Sequence, residues 1–345
     1  MRALATAGIV VVLSVLGSSW AVAEPPVPTN ACVQSDKRLT ELSGLAADGE
    51  HWYALNDGGT KAMVFVLGRD CKVQKVISGP TDPFDVEDLA LAADGTFWLA
   101  DTGDNDKKRE TIALIALTPA GKTTLYRLTY PDGPHDTEAL LLDKAGTPFL
   151  VTKSPFGVAD VYRPVGKIAS PGPTALEKVG SVQLTSTDTK GGPVTPIVGS
   201  MVVTGGTVSK DGSVVALRTY TEAYLFAAPD GDVLAALKSK PVRIPLPEEK
   251  QGEAIALEPD GTLVSGSEGA GQPIRVVKGA TAFLAQAPPA DPKPAVGDAA
   301  AGGNGEAAQA KSEEDGGLPI LPALGVTVVV VGGVLLFMHR RSSRR

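Results

Sequence analysis

One hairpin motif recurs five times along the middle of the chain, and this recurrence constrains the fold more than any other feature. The copies are "ELSGLAADGEHWYALND" (41–57), "EDLALAADGTFWLADTGD" (87–104), "EALLLDKAGTPFLVTK" (138–153), "TGGTVSKDGSVVALRTY" (204–220) and "EAIALEPDGTLVSGSEG" (253–269). Each reads as an apolar strand, a turn ending in glycine, and a second strand of β-branched or aromatic residues. The turn glycines Gly49, Gly95, Gly146, Gly212 and Gly261 lie 46, 51, 66 and 49 residues apart. Asp-Gly or Ala-Gly at that point suits a tight hairpin, whose backbone needs the positive φ that glycine adopts freely. "MVFVLGRDCKVQKVIS" and "TIALIALTPAGKTTLYRLTY", which follow the first and second copies, each add two strands around a further turn. The helical period of an α-solenoid is absent.

Four-stranded units at this spacing predict an all-β fold: a β-propeller of five blades, with six as the alternative because the 66-residue interval has room for an irregular blade. The last copy leaves chain for only three strands, so the segment Ala31–Lys37 is expected to supply the fourth and close the ring.

The ends of the chain read as targeting and anchoring segments. Residues 1–23 have one basic residue, an apolar run and the small-x-small signal Ala21-Val22-Ala23, as a signal peptide does. Residues 318–338 are nearly uncharged and precede His339 and four arginines, which predicts a transmembrane helix with a basic cytoplasmic tail, 339–345. Residues 285–317 are rich in Pro, Ala, Gly and charge, too polar to bury a core, and read as a disordered stalk. The propeller ectodomain is therefore expected over 24–284, on the extracellular side of the cell membrane, in a type I single-pass protein. Leu321-Pro322-Ala323-Leu324-Gly325 resembles the sorting signal that sortases cut, with Leu324 where that signal has Thr. Cell-wall attachment is the alternative to a plain membrane anchor. In the oxidising exported compartment, Cys32 and Cys71 are expected to form one disulfide, tying the closing strand to the neighbouring blade; zinc would need further ligands that the chain lacks.

Candidate functional residues follow from stacking the five copies on their turn glycines. Eight residues before those glycines stand Glu41, Glu87, Glu138 and Glu253, with Thr204 in the fourth copy. At the end of the second strand stand Asn56, Asp101, Thr152, Arg218 and Ser267, followed by Asp57, Thr102, Lys153, Thr219 and Glu268. A hairpin returns the chain to where it began, so both sets lie at one end of their blades. If these strands are innermost, the acids converge on one mouth of the central channel. Strand-end polar residues also serve simply to satisfy loop backbone, and duplication of an ancestral blade would repeat a Glu without present function. Asp101-Thr102-Gly103 matches the aspartic-protease tripeptide, but that chemistry needs two such loops and the chain has one. There is no Gly-x-Ser-x-Gly elbow, and His51 and His135 are the histidines outside the tail.

The segments "ELSGLAADGEHWYALNDGG", "DVEDLALAADGTFWLADTGDN" and "DTEALLLDKAGTPFLVTK" resemble successive motifs of exported bacterial β-propellers of the phytase-like and SdiA-regulated type, and "WLADTGDNDKKRETIALIAL" is similar to an NHL-type strand pair. The resemblance covers residues 38–165 best. In related propellers, including the gluconolactonase-like group, acids at the channel mouth hold calcium. The resemblance carries that role to Asp85, Glu87, Asp88, Asp101, Asp104, Asn105, Asp136, Glu138 and Glu253. Asp85, Glu87, Asp101 and Glu138 are the expected calcium site, since gathered carboxylates repel one another unless a hard cation sits among them. Glu41, Asn56, Asp57, Asp104, Asn105, Asp136, Lys153, Arg218, Glu253 and Glu268 are the expected polar lining.

Removing Arg2 and the four terminal arginines from 32 basic residues leaves 27 against 39 acids, a formal charge of −12 over residues 24–339. That surface repels polyanions and excludes nucleic acid and phytate as partners. Two functions remain: a surface-displayed module that binds an extracellular ligand or protein, with a divalent metal at the mouth, and a metal-dependent hydrolase of esterase or phosphoesterase type. In the hydrolase, Glu87, Glu138 or His135 would be the base.

Overall fold

The computed structural model of the protein describes residues 24–286. The expected signal peptide, the stalk beyond residue 286, the membrane helix, the sortase-like stretch and the basic tail lie outside the described residues. Among the described residues no helix is long and apolar enough to cross a membrane.

The described chain is almost entirely β. Strand β1 (Thr29–Val33) is followed by β2 (Leu42–Ala47), β3 (Trp52–Asn56), β4 (Met63–Leu67) and β5 (Val73–Ser78), which form one antiparallel sheet. The second sheet is β6 (Val86–Leu91), β7 (Phe97–Asp101), β8 (Ile112–Leu117) and β9 (Thr123–Thr129). The third is β10 (Thr137–Leu142), β11 (Pro148–Thr152), β12 (Val158–Pro164) and β13 (Thr174–Gln183), whose last strand also touches β9 in a short parallel pairing. The fourth is β14 (Val203–Val208), β15 (Val214–Thr219), β16 (Glu222–Ala227) and β17 (Val242–Pro245). The fifth is β18 (Gly252–Leu257), β19 (Leu263–Ser267) and β20 (Pro273–Val277), with β1 as its outer strand. The N-terminal segment thus closes the fifth unit, over Thr29–Val33 rather than Ala31–Lys37. The bridge Cys32–Cys71 joins it to the turn between β4 and β5.

The first strands β2, β6, β10, β14 and β18 pack side by side in sequence, and β18 returns to β2. The hydrophobic clusters follow the same cycle. Leu55, Val64, Leu89 and Leu99 fill the space between the first and second units. Leu114, Leu140 and Leu150 lie between the second and third, and Val151, Leu217 and Phe226 between the third and fourth. Leu225, Ile255 and Leu263 lie between the fourth and fifth, and Trp52, Phe65 and Ile274 between the fifth and first. Each sheet is covered on both faces, which is why runs such as "IALIAL" in β8 are buried at every position. The 66-residue interval is taken up by the ten-residue β13 and by a connection containing the single-turn helix α1 (Pro196–Gly199). Two other short helices, α2 (Val233–Leu237) and α3 (Ala280–Gln286), were not legible as strand-turn patterns, and α3 extends past the expected domain end at 284.

Inner strands come so close that side chains are excluded. A Cβ on Gly44 would press into the Leu89 amide, and one on Gly205 into the Glu253 carbonyl. At the centre, Asp88 on β6 accepts hydrogen bonds from Leu89 N (2.8 Å), from Leu140 N on β10 (2.8 Å) and from Gly206 N on β14 (3.0 Å). One carboxylate therefore ties three inner strands, and burial pushes its pKa well above the ordinary value against the pull of those amides.

Candidate metal centre at the acidic mouth

Every inner strand carries a β-bulge at the same place. The register slips at Ser43, Glu87, Glu138, Thr204 and Glu253, one residue after each strand begins. All five bulge residues are buried. A bulge puts an extra residue against a single partner and re-aims its side chain. In the second and third units the bulge residues Glu87 and Glu138 join one acidic cluster.

This register corrects the alignment on turn glycines in two copies. Five residues separate the paired ends Leu91↔Phe97, Leu142↔Pro148 and Leu257↔Leu263, but four separate Ala47↔Trp52 and six separate Val208↔Val215. Turn glycines are therefore not at equivalent distances from the mouth. The counterpart of Glu87 in the first unit is Ser43, and Glu41 corresponds instead to Asp85. In the fourth unit the counterpart of Asp101 and Thr152 is Thr219. Arg218 is turned out of the expected lining: wholly buried, it ion-pairs with Glu249 and donates to Ala254 O at 3.1 Å.

Five carboxylates meet at the mouth. One oxygen from each of Asp57, Asp85 and Glu87 lies within 4.8 Å of the other two, and the same holds for Glu87, Asp136 and Glu138. Glu87 belongs to both groups, so the acids of the first, second and third units form one continuous cluster. Asp57 follows β3, Asp85 precedes β6, Asp136 precedes β10, and all five are buried. Asp136 Oδ1 accepts from Asp104 N at 2.8 Å, whereas Oδ2, equally buried, has no hydrogen-bond partner. Lys153, just after β11, donates to Glu138 Oε1 at 2.6 Å with both side chains buried.

Asp101 is not part of this cluster. Its Oδ1 accepts from Asp85 N at 2.9 Å and from Arg109 Nη2 at 3.0 Å. Asn56 holds Glu41 N at 2.8 Å and Ser267 holds Gln251 N at 2.9 Å in the same way, so position 101 is a strand-end cap repeated in three units. Burial raises the pKa of Asp101, and Arg109 opposes that rise. Arg109 also donates to Gly103 O at 2.8 Å and lies over the Phe84 ring. Thr102 donates to Thr137 O at 2.7 Å. Gly103 is required to be glycine because a Cβ there would overlap Glu87 Oε1 and the Asp85 carboxyl. The tripeptide of the sequence is thus a wall of the acidic cluster.

The remaining expected residues lie near by. Asp104 accepts from the amides of Lys108 and Arg109, both at 2.9 Å, and Asn105 Oδ1 is buried with no hydrogen-bond partner. Gln251 donates to Glu253 Oε1 at 3.2 Å and to Glu268. His135 is held on the rim by Asp132 and Tyr162, each at 3.0 Å.

No family model matches the chain, and no curated protein matches it. Among solved structures it is similar to glutaminyl cyclase of Myxococcus xanthus, at 13% identity over 73% of this chain and 97% of that one, with a TM-score of 0.44. It is also similar to a gluconolactonase of Xanthomonas campestris, at 13% identity over 69% of this chain and 71% of that one, with a TM-score of 0.39. What the fold and the mouth define is a class: an all-β, propeller-like domain with buried acids gathered at one end of its axis.

Proposed function

We propose that the five units are the blades of a five-bladed propeller displayed outside the cell, that its acidic mouth is a divalent-cation centre, and that the centre serves hydrolysis of small uncharged esters. The observation that carries the reading is Asp136 Oδ2, a buried oxygen without a hydrogen-bond partner inside a cluster of five carboxylates. Such an atom costs free energy unless something absent from the protein's own hydrogen-bond network satisfies it. Asp57, Asp85, Glu87, Asp136 and Glu138 would hold the ion. An all-oxygen donor set of this charge fits calcium, which accepts six to eight oxygens in flexible geometry. When bound, such an ion supplies Lewis-acid polarisation of an ester carbonyl.

Lys153 favours chemistry over mere storage of an ion. An ammonium inside a cation site lowers its affinity for metal, so its presence calls for another use. Lys153 donates to Glu138 Oε1 at 2.6 Å, which fixes the two side chains against each other. Glu138 is placed to take a proton from an attacking water, and Lys153 to face negative charge developing on the substrate oxygen. With Arg218 committed to Glu249, Lys153 is the one basic side chain of the expected lining that remains at the mouth. Together with the formal charge of −12 over residues 24–339 this disfavours phosphoesters.

A second reading, a binding module, is supported by exposed Phe84 and Phe156 on loops and Ile197 on α1, in connections at the same end as the acids. The test is turnover of p-nitrophenyl acetate and p-nitrophenyl phosphate by the purified chain in millimolar calcium and after chelation. Ester turnover should require the ion and fall about 100-fold in Glu138→Gln and Lys153→Met, with no turnover of the phosphate. Turnover indifferent to calcium, magnesium and manganese sinks the hydrolase reading, and capture of a ligand without turnover selects the second.

A further inference from the structure

The opposite end of the axis holds a second concavity, independent of the acidic mouth. Asp88, bonded across three inner strands, lies between the two ends, and this space is a cup of about 960 Å³ that shares no lining residue with the acidic cluster. That volume lies in the range of small-molecule sites. Each inner strand gives it an apolar wall residue: Ala46, Leu91, Leu142, Val208 and Leu257. An arm of the cup runs outward between the first and second units, past Tyr53, Val66, Ile77 and Phe97. Leu91, Leu142 and Val208 are only partly buried, unlike the core residues beside them. Leu91 and Val208 pack in part against the neighbouring cores and, with Leu142, present their remaining apolar surface to the cup.

The polar rim is asymmetric in what it leaves uncommitted. Its aspartates are used by their own turns: Asp48 accepts from the amides of Glu50 and His51, Asp94 from Thr96, and Asp143 from Ala145 and Thr147. Lys144 and Lys210, in the hairpin turns of the third and fourth units, have no hydrogen-bond or ion-pair partner among the described residues; Lys75 of the first unit has none either, but it stands alone on an outer strand. These two turns touch, since a Cβ on Gly212 would lie 3.5 Å from Lys144 Cβ. Two uncommitted lysines therefore stand on adjacent turns at one edge of the cup, in a chain whose formal net charge is −7.

We propose that the cup binds an amphipathic monoanion, a carboxylic acid with an apolar body, its head between Lys144 and Lys210 and its body against Leu91, Leu142 and Val208. A longer body would continue into the arm beside Tyr53 and Phe97. Two donors on adjacent turns match the two oxygens of one carboxylate, and the inner strands offer Ala46, Leu91, Leu142, Val208 and Leu257 to an apolar body.

Trp98 lines the same cup, whereas Trp52 is buried in the core, so Trp98 can report occupancy. The experiment is titration of the full chain in lipid nanodiscs with bromodecanoate, reading quenching of tryptophan fluorescence. Saturable quenching is expected, displaced by decanoate, unaffected by chelators, and about tenfold weaker for decanol as competitor. The double variant Lys144→Glu/Lys210→Glu should weaken binding at least about tenfold, and Lys144→Gln/Lys210→Gln by less. Val208→Gln should weaken decanoate and decanol alike. Quenching that does not saturate, or is equal in wild type and the glutamate variant, overturns the proposal, because it reports partition into lipid. Decanol that competes as well as decanoate overturns it too, because the head would then not be read.

Discussion

Gly103 is the residue on which the geometry of the acidic mouth turns. Its amide donates to Asp85 O at 3.1 Å and its carbonyl accepts from Arg109, so the backbone cannot retreat from the carboxylates it touches. Gly103→Ala should displace Glu87 and Asp85 and leave the strands in place. The expected outcome is a melting temperature near that of wild type without calcium, and a much smaller calcium-induced rise. An unchanged rise would show that Glu87 and Asp85 do not hold the ion. At this scale the sequence was legible where a residue type recurs and misleading where register decides. Asp85, Glu87 and Glu138 were placed together from their positions beside strands, but Asp101 was grouped with them because it ends a strand at the mouth. Asp57 reads from the sequence only as lining, and Asp136 as lining to which the resemblance adds a calcium role. A stacking on the inner-strand starts, "SGLAA", "EDLAL", "EALLL", "TGGTV" and "EAIAL", would have exposed the bulge. It would also have put Glu41, Asp85, Asp136 and Gln251 in one column.

The hairpin is the element that makes the fold readable, and its turn chemistry is testable by pH. Each of the five turn glycines has a positive φ, between 75° and 100°, as the sequence demanded. Each turn also holds an aspartate that accepts a backbone amide: Asp48, Asp94, Asp143, Asp211 and Asp260. The hydroxyl of Ser209, then the amide and hydroxyl of Ser213, lower the Asp211 pKa from 3.8 to about 2. Asp94 and Asp260 are lowered chiefly by the amides of Thr96 and Thr262. A folded value below the unfolded one means that the native state releases the proton more readily. The stabilisation is complete above about pH 4 and is lost as pH falls toward 2. Asp211→Asn should flatten the acid limb of a stability-versus-pH curve measured by urea unfolding, and an identical limb would refute the cap. The closing strand gives a second test. The bridge between Cys32 and Cys71 spans 39 residues, and the chain-entropy relation assigns about 4 kcal/mol to such a loop. Cys32→Ser/Cys71→Ser should lose stability of that order, chiefly by freeing β1. What could not be read at this scale was turn length: one residue fewer in the first hairpin and one more in the fourth leave the hydrophobic alternation intact while shifting every residue at the mouth.

For the whole molecule, the ring makes every unit depend on two neighbours, because each core is shared across a boundary between sheets. Closure by β1 completes that cycle, and a cooperative single unfolding transition is its expected consequence. The candidate cation centre breaks the symmetry. Among the described residues its acids come from the first unit (Asp57), the second (Asp85, Glu87) and the third (Asp136, Glu138), and none from the fourth or fifth. An ion bound only by the native state stabilises it by RT ln(1 + [L]/Kd), about 2.7 kcal/mol at a hundredfold excess over Kd. Global opening would gain that amount everywhere, but local opening would gain it only where opening disrupts the ligand set. Calcium should therefore slow amide hydrogen exchange in β2, β6 and β10 and in the loops 57–62, 79–85 and 102–111. It should leave the locally exchanging amides of β16, β17 and β20 unchanged. Glu87→Gln/Glu138→Gln should abolish the difference, because Glu87 belongs to both groups of acids and Glu138 completes the second. Protection spread evenly over all five units in wild type, or surviving in the double variant, would place the ion elsewhere. Absence of any protection by calcium, magnesium or manganese would leave the carboxylates as a product of blade duplication.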